Sequence, residues 1–326
     1  MSTNTATAPR QLATGQLITA RQLSATEPLT ATMTELVPAA ADVPGTAPKN
    51  GLRIASVNVN GIRAAYKRGM AQWLAARDVD ILALQEVRAP DAVVQDLLGD
   101  EWHILHAEAE AKGRAGVAIA SRRDRIQPVE TRVGIGDDYF AAAGRWVEAD
   151  YRVTDADGQT RKLTVVSAYV HSGEVDTPKQ VDKYRFLDVM ATRLPQLERE
   201  SDHALVVGDL NVGHTTLDIK NWKGNVKRAG FLPAERAYFD RFFGDEFGWA
   251  DVHRRLAGEV EGPYTWWSWR GQAFDNDTGW RIDYHMATSA LAAAAGAAVV
   301  DRAPSWDTRF SDHAPLVVDY RLGVQP

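Results

Sequence analysis

Two short stretches carry the densest chemistry in the chain. "GDLN" (208–211) places a carboxylate and an amide two residues apart, directly after the apolar run "HALVV". "SDH" (311–313) places an acid beside an imidazole just before "APLVV". The same arrangement recurs: Asn58 and Asn60 close "LRIASVNVN", Glu86 follows "DILALQ", Tyr169 ends "LTVVSAY", and Asp283 stands in "RIDYHMA". Any one acid at the end of an apolar run is ordinarily a turn residue. Six such run ends in one chain can converge on one face. Together they supply oxygen donors suited to a hard divalent cation, a carboxylate to orient a water, and an imidazole that a neighbouring acid holds charged. That set suits hydrolysis of a phosphodiester.

The elements that must deliver these groups are legible as patterns. Residues 52–60 alternate as a strand, 64–77 have helical spacing, and 79–87 form a second apolar strand, which closes a β-α-β unit. Residues 116–121 read as a strand. "RWVEADYRVT" and "RKLTVVSAYV" flank "DADGQ", whose Asp157-Gly158 pair favours a hairpin. A helix is expected over 175–200 with Pro178 near its start, and another over 232–244. "HALVVGDL", "RIDYHMA" and "APLVVDYRL" read as buried strands. The type of "LAAAAGAAVV" (291–300) is left open. Hairpins mixed with crossover helices favour two packed sheets with helices outside over a single parallel sheet.

Bulk properties narrow the classes. The chain has 326 residues, 45% of them hydrophobic, enough for one large core. It has no cysteine, which excludes disulfides, thiolate metal sites and cysteine nucleophiles, and fits a reducing compartment. With few histidines besides, a structural zinc site is disfavoured. No 18-residue apolar run suggests a membrane span. The net charge of −6 does not announce nucleic acid, although a cation-binding acid cluster lowers the total without excluding a local basic face. Residues 1–50 contain no Trp, Tyr or Phe and are rich in Ala, Thr and Pro. They are expected to be a disordered tail, with 51–326 as a single catalytic domain.

The ordered set "SVNVNGIRA", "LALQEV", "GVAI", "VVGDLNVGHTTLDIKN", "AGFLPAER", "YTWWSWR", "GWRIDY" and "SDHAPL" resembles the exonuclease III family of abasic-site endonucleases, within the endonuclease/exonuclease/phosphatase superfamily. The resemblance spans roughly residues 52–322. "GDLN" and "SDH" alone would point only to the superfamily, whereas "YTWWSWR", "GWRIDY" and "AGFLPAER" are specific to its DNA-repair branch. It implies a four-layer α/β sandwich of two facing mixed β-sheets flanked by helices, with the site at one end. It also implies roles. Asp209 orients or deprotonates water, and Asn211 positions Asp209 and the phosphate. His313 contacts the phosphate with Asp283 as its partner, and Tyr169 holds phosphate or assists the leaving group. Glu86 is the principal ligand of Mg²⁺, or of Mn²⁺ in its place, with Asn58 and Asp312 close by; Asn60 supports from behind. Trp266, Trp280 and Ile282 wall a pocket for a base-free sugar.

The substrate this resemblance implies is double-stranded DNA with abasic sites or blocked 3′ ends, cut 5′ to the lesion, with 3′→5′ exonuclease and end-trimming as related activities. Arg63, Lys220, Lys223 and Arg270 are the candidate DNA contacts, with Lys67, Arg68, Lys179, Lys183, Lys227 and Arg228 beside them. A monomer, cytoplasmic and nucleoid-associated, is expected. The competing readings are a phosphatase or phospholipase for small or lipid phosphates, and a non-catalytic nucleic-acid-binding regulator. His214 is expected to fix its loop, and Trp267 and Trp269 to share an aromatic core. Two departures from the family pattern stand in loops: His171 and Ser172 in place of Pro and Asn, and Asp277 in place of Asn.

Overall fold

In the computed structural model, which describes Met1 and residues 51–324, the apolar runs become strands buried on both faces. In chain order the strands are β1 (Leu52–Asn58), β2 (Ile81–Gln85), β3 (Trp102–Ala107), β4 (Val117–Arg122), β5 (Glu130–Val133), β6 (Trp146–Thr154) and β7 (Thr160–Tyr169). After them come β8 (His203–Asp209), β9 (Ala250–Asp251), β10 (Asp283–Ala287), β11 (Ala295–Val300), β12 (Leu316–Tyr320) and β13 (Gly323–Val324). One sheet has the order β11-β12-β1-β2-β4-β3; the other runs β13-β6-β7-β8-β10-β9, with β5 added to β6. Each is mixed, with one parallel pair, β1–β2 in the first and β7–β8 in the second.

The side-chain period of two sorts every strand between two apolar layers. Leu52 and Ile54 of β1, Ile81 and Ala83 of β2, Leu163 and Val165 of β7, and Leu205 and Val207 of β8 meet between the sheets. Their neighbours Ala55, Val57, Leu82 and Leu84 turn outward to helices α1 (Ile62–Lys67), α2 (Met70–Arg77) and α3 (Asp91–Leu98). Val166, Ala168, Ala204 and Val206 turn the other way, to α4 (Pro178–Glu200) and α5 (Pro233–Phe243). The result is the expected four layers. Truncating one of these buried Leu or Val side chains costs about 1–5 kcal/mol. Two shorter helices, α6 (Val252–Ala257) and α7 (Ser289–Ala294), add Val252, Leu291 and Ala292 to the core between the sheets.

The long helix α4 forms because Phe186, Leu187, Met190, Leu194 and Leu197 recur at three- and four-residue spacing on its buried face. Pro178 stands in its first turn, where its missing N–H costs nothing.

Three details differ from the sequence reading. The helix expected over 64–77 is two, α1 and α2, because Gly69 takes φ 109 between them. The open stretch 291–300 divides into the end of α7 and strand β11. Helices α3 and α6 and strands β3, β5, β9 and β13 were not anticipated. The tail expected over residues 1–50 falls outside the described residues, apart from Met1.

Candidate active site

The alternation that builds the core also builds the site. Asp209 continues the 205, 207 series of β8, and Tyr169 the 163, 165 series of β7, so both emerge at the seam between the sheets. Asn58 follows Leu52 and Ile54 on β1. Asp283 opens β10 on the face that carries Ala287 into the inter-sheet core. One layer below, Gln85 bridges the two sheets, accepting from Ser56 Oγ at 3.3 Å and donating to Ser167 Oγ at 3.1 Å. The seam thus turns from apolar to polar just before it opens.

The opening is a cleft of about 410 Å³ lined by Asn60, Glu86, Arg88, Tyr169, Ser172, Asp209, Asn211, Trp266, Trp280, Ile282, Asp312 and His313, among others. Asp209 is buried and bridged by amides: Asn58 Nδ2 donates to its Oδ2 at 2.9 Å and Asn211 Nδ2 at 3.1 Å, while the Asn211 backbone N–H donates to Oδ1 at 3.0 Å. Burial raises its pKa, and the Asp283 and Glu86 charges add to that against the opposing pull of His313. His313 Nδ1 lies 2.9 Å from Asp283 Oδ2, and Nε2 lies 3.7 Å from Asp209 Oδ2. Burial alone would lower the imidazole pKa; the Asp283 and Asp209 carboxylates overcome it and raise it. The two carboxylates therefore favour the charged form of the ring. Burial, then the charges of Glu86 and Asp209, hold the Tyr169 phenol well above its ordinary value, so it keeps its proton.

Backbone geometry at the cleft is specific. Asn60, Glu86 and Asn211 all take left-handed φ values of 46, 50 and 51. Such conformations cost energy for residues with a Cβ and persist where the surroundings fix them. Gly208 has φ 142, and a Cβ there would stand 1.9 Å from the Ala168 carbonyl oxygen of the neighbouring strand. Only glycine lets β8 run close to β7 one residue before Asp209.

The oxygen donors fit a divalent cation by their chemistry. Glu86 Oε1 accepts from Asn58 Nδ2 at 3.1 Å, and its Oε2 meets the Arg88 guanidinium. This corner already attracts a cation. Asp312 accepts from Asn60 Nδ2 at 2.8 Å and from Trp266 Nε1 at 3.1 Å. Asn58 Oδ1 accepts the Asn60 N–H at 3.0 Å, which orients the amide whose Nδ2 donates to both Glu86 and Asp209. Asp209, Asp283 and His313 also present ligand atoms within 4.8 Å of one another, but their mutual hydrogen bond and charges suit proton handling better.

Most of the residues singled out in the sequence meet here. Asn58 and Asp283 stand directly behind the lining. Trp266 and Trp280 pack edge to face at 6.0 Å, and Ile282 completes the apolar wall. The basic candidates do not join them: Arg63 and Arg270 are exposed away from the lining, Lys220 is paired with Glu261 at 2.5 Å, and Lys223 lies against Trp222. Lys183, expected at the surface, is buried in an ion pair with Glu235 at 2.7 Å. Its Nζ donates to the backbone oxygens of Asn211 at 2.8 Å and Ser172 at 3.3 Å. Trp267 is buried as expected, but Trp269 is not part of that core. His214 fixes its loop by contacting Asp240 at 2.8 Å.

Of the two departures, Asp277 accepts from Trp267 Nε1 at 3.0 Å, and His171 packs against Phe140 and Phe186. Two lining or supporting residues were missed. Arg88 neutralises Glu86, and Arg145 lies 4.6 Å beneath the Tyr169 ring while donating to the Tyr169 carbonyl at 3.2 Å. "GR" before a strand gives no hint that its side chain folds back under a residue 24 positions on.

The comparisons with known proteins agree with this geometry. Residues 55–313 match the model of the "Endonuclease/Exonuclease/phosphatase family". The chain is 30% identical over 266 residues to an exodeoxyribonuclease of Bacillus subtilis, covering 81% of this chain and 98% of that protein. It is 33% identical over 251 residues to the DNA repair nuclease APEX1 of Danio rerio, covering 74% of each. Among solved structures, an AP endonuclease of Archaeoglobus fulgidus superposes with a TM-score of 0.69 at 26% identity, covering 82% of this chain and 99% of that one. The catalytic domain of Xenopus laevis APE2, at 22% identity and a TM-score of 0.71, shares the fold over 84% of this chain and 93% of its own. The chain belongs to the endonuclease/exonuclease/phosphatase family, among its DNA-repair nucleases.

Proposed function

We propose that the protein is a Mg²⁺-dependent hydrolase that cuts double-stranded DNA on the 5′ side of an abasic site. The products are a 3′-hydroxyl and a 5′-deoxyribose phosphate, and blocked 3′ ends are trimmed in the same cleft. One juxtaposition carries this reading: the Asp209–His313–Asp283 set shares a cleft with the apolar wall of Trp266, Trp280 and Ile282. A small phosphate monoester would have no use for that wall. A base-free sugar turned out of the duplex would fit against it, where an intact nucleotide is too large.

In this mechanism Asp209 accepts a proton from the attacking water. Its raised pKa brings it closer to the range in which a general base works best. Asn58 and Asn211 fix the carboxylate so that the water is aimed rather than free. The His313 imidazolium, held by Asp283, donates to a phosphate oxygen as negative charge develops there. The water oxygen bonds to phosphorus as the P–O3′ bond breaks, and the departing O3′ takes a proton from solvent to give the 3′-hydroxyl; Tyr169 donates to an oxygen of the phosphate group. Glu86, with Asn58 and Asp312 beside it, would hold the cation, which supplies charge neutralisation at the phosphate.

The test uses a labelled duplex with one abasic-site analogue beside an intact duplex, with Mg²⁺ and with EDTA. A single cut 5′ to the lesion, absent in EDTA and lost in Asp209→Asn, is the expected result. No cut of either duplex by folded protein with Mg²⁺ would overturn the reading.

A further inference from the structure

Of the ten tryptophans, only Trp269 and Trp306 remain more than a third exposed, at 36% and 44%. They are neighbours, packed edge to face with ring centroids 5.7 Å apart. Exposed indoles are usually mobile or incidental, but this pair is pinned from below. The Arg309 guanidinium lies 3.8 Å from the Trp269 ring and 5.7 Å from the Trp306 ring. Arg309 is only 4% exposed, and one of its nitrogens donates to the Trp267 carbonyl at 3.1 Å. Its Nε and a second terminal nitrogen are buried with no hydrogen-bond partner. No carboxylate hydrogen-bonds this buried cation; the charges of Asp312 and Asp275 reach it only through space, and the faces of Trp269 and Phe274 hold it instead. A second cation, Arg68, lies 5.3 Å from the Trp269 ring at the surface.

The pair adjoins the cleft. Trp267 N–H donates to the Asp312 carbonyl at 3.0 Å, and Asp312 in turn accepts from Trp266 in the pocket wall. The two loops that carry the platform are thus the two that carry Trp266, Trp280, Asp312 and His313.

We propose that Trp269 and Trp306, held by Arg309, form a stacking platform for an unpaired DNA base next to the cleft. The inference rests on the reading of the cleft as a DNA-processing site. An exposed indole face can take only a base whose own face is free. Within an intact duplex both faces are covered by neighbouring pairs, so the platform selects frayed ends and single-stranded flanks. Arg68 and Arg309 add the positive potential that a phosphate-bearing ligand needs. The platform gives the enzyme a hold on 3′ termini that is separate from the abasic pocket.

The test measures binding of a fluorescein-labelled oligodeoxythymidylate to the full chain in EDTA, by anisotropy, at low and high salt. Cleavage of the fully paired abasic duplex with Mg²⁺ is measured in parallel. Trp306→Ala is expected to weaken oligonucleotide binding about tenfold at both salt concentrations, as loss of one stacked base predicts, with a smaller loss on the paired duplex. Trp306→Phe is expected to recover most of the affinity, because a phenyl face still stacks. If wild type cuts the abasic duplex while Trp306→Ala binds the oligonucleotide within roughly twofold of wild type, the platform is overturned and the reading of the cleft stands. An equal loss on both substrates also overturns the platform. If wild type neither cuts the duplex nor binds the oligonucleotide, the reading of the cleft falls and the platform with it.

Discussion

His313 turns one ring nitrogen to Asp283 at 2.9 Å and the other toward Asp209 at 3.7 Å, so one imidazole is held between two buried carboxylates. The first contact is a hydrogen bond; the second is a gap. A phosphate oxygen that reaches the ring from the cleft can accept from its free nitrogen, which leaves the Asp209 carboxylate to aim the water.

Asp283→Asn keeps the shape and removes the charge that holds His313 protonated. Burial then acts on the imidazole with less opposition and its pKa falls. The expected result is a loss in kcat of about a hundredfold or more on the abasic duplex, with KM little changed. Steady-state kinetics checks the split, and an NMR titration of the His313 ring checks the cause.

Trp280→Ala removes one of the three residues of the apolar wall. The pocket then admits bulkier nucleotides, and discrimination between abasic and intact DNA is expected to fall by about 10- to 100-fold. Cleavage of matched abasic and intact duplexes, compared as kcat/KM, reads this directly. A variant that lost activity equally on both would remove the wall from the account of selectivity.

Lys183 and Glu235 form a pair with no exposure on either side chain, and both also hold backbone. Glu235 accepts from the Gly230 and Leu232 N–H groups, while Lys183 anchors Asn211 and Ser172. Glu235→Gln leaves a buried ammonium without its partner and is expected to cost about 3–5 kcal/mol in urea unfolding. Lys183→Met with Glu235→Met removes both charges, and its cost is expected to be smaller than the sum of the single substitutions.

His285 is fully buried between the sheets, with Nδ1 3.1 Å from the Tyr320 hydroxyl, and burial lowers its pKa to about 3. The unfolded chain takes up this proton at about 6.5, the native protein only near 3. Stability contributed by the neutral ring is therefore complete above pH 6.5 and is lost as pH falls toward 3, at up to about 1.4 kcal/mol per pH unit. His171, also lowered to about 3, acts in the same direction. His285→Asn is expected to make the dependence of unfolding free energy on pH shallower by about one proton, measured by urea unfolding across this acid range.

The groups of one chemical kind were legible in the sequence, and those of another were not. Asn58, Glu86, Asp209 and Tyr169 could be found because each ends or directly follows an apolar strand, and strand ends share a sheet edge. The basic residues could not be sorted that way. Lys183 lies on an amphipathic helix where a lysine ordinarily faces water, yet it is the centre of a buried pair. Arg88, Arg145 and Arg309 act through tertiary neighbours that no local spacing encodes. Strand β3 escaped notice because four of its six residues are only partly buried, which weakens the apolar signal. The break in the first helix hinged on one glycine inside an otherwise periodic run.

The alternation along β8 has a consequence for how this protein can change. Leu205, Val207 and Asp209 share one face, while Ala204 and Val206 share the other. A slip of a single residue would turn Asp209 toward the long helix and send every apolar side chain of the strand to the wrong layer. Chemistry and cohesion are locked into the same reading frame of the backbone. Insertions and deletions in this strand cannot retune the reaction by degrees; variation has to enter through the loops that surround it.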